Sequence, residues 1–239
     1  MPTPSDIVRV NFGAPMPLFP LAGGVLLPHA VLPLHIFEER YRQMVEHALD
    51  RAGQIAMGVF EGDEWKHEYH GNPPVRPVVC VGQVLQHEKL PDGRFNILLR
   101  GICRARMREH MLPDDDHQYR RVMLDPLETP TDDDDDAHTL PGVRDRLCAW
   151  FGEPPLTSLA AAGSIENHLQ TGELPISALL DLLAITVVTD QEMKYRLLAE
   201  PAASGRAAMI ESEILNLRSL LSRAERQLDP DTPRGVTWN

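Results

Sequence analysis

The chain has 239 residues, 43% of them hydrophobic, enough for one large core or two modest ones. Three widely spaced cysteines and no CxxC exclude a disulfide framework, a zinc ribbon and a dithiol redox motif, and they fit a reducing, cytoplasmic setting. The net charge of −12 falls wholly in residues 113–239, since 1–112 are balanced; this opposes nonspecific binding to nucleic acid or anionic membrane and marks a change of unit near 113.

Residues 15–37, PMPLFPLAGGVLLPHAVLPLHIF, carry no formal charge. Pro15, Pro17, Pro20, Pro28 and Pro33 rule out a continuous helix, and with it a membrane anchor. A signal peptide is also not expected, because the basic start and the cleavage site are missing. The stretch reads as core strands at 16–21, 25–28 and 31–37, bent at the prolines and at Gly23–Gly24.

From residue 38 the period changes. Tyr41, Met44, Val45, Ala48, Leu49 and Ala52 fall on one helical face, which predicts a helix over 38–52 that stops at Gly53. A strand is expected at 54–60, then a polar loop carrying Trp65 and Tyr69. Pro91-Asp92-Gly93 separates two β-rich runs and predicts a hairpin. In the second run, Phe95, Ile97, Leu99, Gly101, Cys103, Ala105 and Met107 alternate with Asn96, Arg100, Arg104, Arg106 and Arg108. A further strand is expected at 119–128.

Residues 129–141, with five consecutive aspartates, read as an acidic linker between a β lobe at 14–128 and a helical bundle at 142–228. Helices are expected near 143–151, 155–170, 175–188, 190–199 and 203–228. In the last, a helix about 39 Å long, Ile210, Ile214, Leu217, Leu221, Ala224 and Leu228 form a heptad-like seam. Residues 229–239 read as a tail.

Several constellations could carry chemistry. His67 and His70, near Asp63, Glu64 and Glu68, have metal-ligand spacing, but no third distant ligand is identifiable, so a solvated loop is expected and no metal or cofactor. Cys80 and Cys103 lie in strands and read as small core residues. Trp65 and Tyr69 on the loop, with Trp150 and Phe151 at the lobe junction, are candidate anchors for apolar peptide segments; the alternative is that they cover the sheet and the bundle. Arg100, Arg104, Arg106 and Arg108 form a guanidinium row suited to phosphate contacts, or a solvated or covered strand face.

The blocks PLFPLAGGVLLPHAVLPLHIFEERYRQMVEHAL, VGQVLQHEKLPDGRFNILLRGICRARM and LLDLLAITVVTDQEMKYRLLAE together resemble the amino-terminal domain of Lon proteases, in the family's order over 16–215. The resemblance is most specific at Leu18, Pro20, Leu21, Pro28, Pro33, Leu34, Phe37, Glu38, Arg40, Tyr41 and the LPDGR hairpin. It implies an α+β chain, with a PUA-like β-pseudobarrel followed by an α-helical bundle and a long C-terminal helix. It also implies substrate recognition without catalysis. No GxxxxGK[ST] run exists to hold phosphates, and Lys66, Lys89 and Lys194 are the only lysines, none in a Ser–Lys protease context.

The expected function is therefore a non-catalytic module that binds unfolded or hydrophobic polypeptide, or a protein partner, in a groove between the lobes. The alternative is an RNA-binding PUA-like adaptor using the arginine row. The sequence sets no oligomeric state.

Overall fold

A computed structural model describes residues 8–69, 71–127, 140 and 142–228. Within it the chain divides into two compact units, one of residues 8–127 with 189–201, the other of residues 140–188 with 202–228. The acidic run and the tail lie outside the described residues.

The first unit is built on six strands, β1 (Met16–Leu21), β2 (Val31–Ile36), β3 (Gln54–Val59), β4 (Val78–Lys89), β5 (Phe95–Met111) and β6 (Arg121–Pro126). Their order is β2-β5-β4-β3-β1-β6, and β5 pairs also with β6, which closes five of the strands into a ring. Only β1 and β3 are parallel. A closed ring removes most exposed strand edges and gives the alternating apolar residues a common interior. Met16, Leu18, Ala56, Val79, Val81, Ala105, Val122 and Leu124 fill it.

Helix α1 (Glu39–Leu49) buries Tyr41, Met44, Val45 and Ala48, as its period predicts. Gly53, at φ 68°, ends that segment in the left-handed region that glycine adopts without strain.

Residues 25–28 are not a strand. They are coil crossing β5, and they still bury Leu26 and Leu27. The His29 amide donates to the Gly101 carbonyl and the Gly101 amide to that of Ala30. A Cβ at Gly101 would lie 2.1 Å from the Leu27 carbonyl oxygen, so the crossing requires glycine there. Nor is the whole 15–37 stretch core. Val31, Pro33, His35 and Phe37 face outward, Phe37 at 62% exposure.

The second unit holds helices α2 (Val143–Phe151), α3 (Ala162–Thr171), α4 (Ile176–Thr186) and α6 (Ala203–Leu228). The single helix expected over 155–170 is instead a short 3-10 turn at Leu156–Ser158 followed by α3. Leu147, Phe151, Leu156, Ile165, Leu169, Leu179, Leu183, Ile210 and Ile214 form its core. Arg144 donates to the carbonyls of His168, Leu169 and Leu174, which satisfies the open C-terminal end of α3 where Gly172 turns left-handed.

Helix α5 (Gln191–Ala199), expected with the helical lobe, belongs to the β unit. The Asp190 side chain caps it, accepting the Met193 amide at 2.7 Å. The Tyr195 hydroxyl accepts the buried Val78 amide at 3.1 Å. Arg76 stacks 3.4 Å over the Tyr195 ring and holds Glu192 by two bonds of 2.6 and 2.9 Å.

Candidate functional site

The loop after β3 closes on itself through aromatic rings. Trp65 sits on a 3-10 turn (Glu64–Lys66) and stacks on Phe60, with centroids 5.6 Å apart and planes within 11°. Tyr69 meets Phe60 edge-on at 6.0 Å and donates its hydroxyl to Glu38 at 2.8 Å. Burial, then that hydrogen bond to a carboxylate, hold the Tyr69 phenol above its ordinary range. Tyr69 therefore acts as a latch between the loop and the start of α1, while Trp65 keeps a half-exposed ring.

That ring borders a cleft of about 460 Å³ within the β unit, walled by Gly23, Gly24, Phe60, Glu61, Trp65 and the Arg76–Glu192 pair. Backbone at the two glycines and the Phe60–Trp65 wall bound a hollow that is also lined by the charged side chains of Glu61, Asp63, Lys66, Arg76 and Glu192.

The other pair of candidate anchors lies in the helical unit. Phe151 is fully buried there, so it is a core residue and cannot grip a ligand; Trp150 beside it is half-exposed. On the helical period, Phe151 extends the buried face of Val143 and Leu147.

The guanidinium row is broken. Arg104 is 1% exposed, because α5 covers that part of β5, and it donates from Nε to the Leu197 carbonyl at 3.3 Å. Arg108 lies 3.5 Å from Asp125, Arg100 is half-buried, and Arg106 is exposed. Strict alternation fails for a second reason. Ile102 and Arg108 have no partner in the strand register, so β5 bulges twice. A continuous phosphate-facing surface does not form from these four residues.

His67 is exposed, and His70 lies outside the described residues. Cys80 is buried and Cys103 half-buried.

Sequence reasoning missed a second hollow. Three cross-strand rows, Pro33–Leu98–Gln86, Leu34–Ile97–His87 and His35–Asn96–Glu88, outline a groove of about 430 Å³ on β2, β5 and β4. His35 and Asn96 share a 2.8 Å hydrogen bond, and Asn96 donates to Glu88 at 3.2 Å. Alternation across residues 31–37 was the available signal, masked by their uniform lack of charge.

Comparison with known proteins places the chain in a lineage. The substrate-binding domain of ATP-dependent protease La (LON) matches residues 15–216. This chain belongs to the Lon substrate-binding domain family. It is 26% identical over 231 residues to Lon protease of Escherichia coli K12, covering 90% of this chain and 27% of that protein. Lon protease 1 of Syntrophobacter fumaroxidans is 27% identical over 217 residues, covering 88% of this chain and 25% of the relative. The chain thus spans about a quarter of the length of these relatives.

The N-terminal domain of a Mycobacterium avium complex Lon protease superposes with TM-score 0.63 at 16% identity, covering 85% of this chain and 99% of that one. A Lon N-terminal domain protein from Xanthomonas campestris gives 0.61 at 19%, with 83% and 98% covered. These likenesses establish the α+β Lon N-domain fold. Among the described residues no helix is long and apolar enough to cross a membrane.

Proposed function

We propose that this protein is a non-catalytic recognition module that binds unfolded or hydrophobic polypeptide segments, with Trp65 as its anchor. The observation that supports this most is the stacked Phe60–Trp65 pair on the wall of an open cleft, in a chain of a substrate-binding family. Stacking on Phe60 fixes the indole before a ligand arrives, so little side-chain entropy is lost on binding. An anchor of that kind contributes most of its energy through buried apolar surface.

Binding of a permanently unfolded, carboxymethylated protein, measured by calorimetry, tests this. Trp65→Ala is expected to weaken it by about 1–3 kcal/mol while the circular dichroism spectrum is kept. Unchanged affinity in a folded variant removes Trp65 from the site. With ATP and casein, the purified chain is expected to leave the casein intact.

A further inference from the structure

The loop bearing Trp65 reads Glu61-Gly62-Asp63-Glu64-Trp65-Lys66-His67-Glu68, four carboxylates around one lysine. Both cations on the cleft wall are already engaged. Arg76 is held by both oxygens of Glu192 and by the Tyr195 ring. Lys66 contacts Asp63 at 2.6 Å, with its ammonium 5.9 Å from the Trp65 centroid. The Glu192 hydrogen bonds, and to a lesser degree the charge of Glu61 on the wall, hold the pKa of the Arg76 guanidinium up. No direct ion pair is formed by Glu61, or by Glu64 and Glu68 nearby in the loop, among the described residues. The cleft therefore combines an apolar aromatic wall with surplus negative charge at its rim.

Resting on the polypeptide reading above, we propose that the Trp65 cleft selects segments in which an apolar side chain is flanked by lysine or arginine. Lys66 displays the chemistry in miniature, since its ammonium lies between a carboxylate and an indole face. A basic side chain of the bound segment meets the same two groups when Lys66 turns away, and it is free to do so because it is half in solvent. Arginine adds planar stacking on the indole, which favours it over lysine. An acidic flank meets Glu61 and Asp63 and is repelled, so the rim sets which apolar segments are accepted.

Fluorescence anisotropy with labelled peptides sharing one Leu-Phe-Leu core, flanked by Arg-Lys, Ser-Gly or Asp-Glu, tests the selection. At about 50 mM salt the basic-flanked peptide is expected to bind about tenfold more tightly than the neutral one, and the acidic one more weakly than either. Raising salt to about 300 mM narrows the gap. Glu61→Gln with Asp63→Asn abolishes the preference, while Lys66→Ala tightens the basic-flanked peptide about threefold and so widens its margin over the neutral one. Equal affinity for basic and neutral flanks, still lost in Trp65→Ala, overturns the selectivity and leaves the polypeptide reading standing. If neither these peptides nor the unfolded protein binds, the polypeptide reading itself fails.

Discussion

At the level of single residues, Trp65 and Phe151 separate two meanings of an aromatic side chain that sequence alone leaves open. Trp65 stands between Glu64 and Lys66, Phe151 between Trp150 and Gly152, and both suit a peptide anchor. Phe151, however, sits on the same helical face as Val143 and Leu147, and that face is the buried one. Phe151→Ala is expected to cost about 3–5 kcal/mol in urea unfolding, because its space cannot collapse in a packed core. Trp65→Ala removes one ring from a half-exposed stack and is expected to cost about 1 kcal/mol. Equal losses would place Trp65 in the core and leave the cleft without its wall. Arg104 carries the same lesson. Charge and alternation gave its side of the strand, but only the packing of α5 shows that this side is covered.

Among elements, α5 departs most from a reading taken in chain order. Its period and its Asp190 cap are visible in the sequence, and its helical neighbours suggest a bundle. What takes it to the sheet is a set of three contacts whose partners lie about a hundred residues away, at Arg76, Val78 and Arg104. No local period encodes such pairings. The strands show the converse: hydrophobic alternation and Pro91-Asp92-Gly93 place β4 and β5 well, yet the unpaired Leu85, Ile102 and Arg108 shift faces in ways alternation does not reveal. The Trp65 cleft was half legible, since its aromatic was visible and its opposite wall at Gly23–Gly24 was not. If Tyr195 anchors α5, Tyr195→Phe leaves the buried Val78 amide without its acceptor. A loss of about 1–3 kcal/mol is expected, with faster hydrogen exchange at Val78. Exchange at Val78 as slow as before would mean that α5 is held by other contacts.

For the molecule as a whole, titratable chemistry is divided unequally between the two units. All four tyrosines, Tyr41, Tyr69, Tyr119 and Tyr195, belong to the β unit, and burial is the leading cause that holds each phenol above its ordinary value of 10.0. In the helical unit the corresponding group is the Cys148 thiol, raised by burial from 9.0. A raised folded-state value means that the unfolded chain releases its protons first as pH rises. Stability is then complete below about pH 10 for the tyrosines and falls as pH climbs toward their folded-state values, by up to about 1.4 kcal/mol per pH unit for each. Because four such groups share one unit, the β unit is expected to fail first in strong alkali. Tyrosinate absorbance should rise together with loss of the sheet, before the helical signal at 222 nm collapses. Tyr41→Phe and Tyr195→Phe should each make the decline between pH 10 and 12 less steep, whatever they do to stability at neutral pH. Stability that stays flat across that window, or tyrosines that titrate near pH 10 in the folded chain, would show that burial does not hold these phenols neutral.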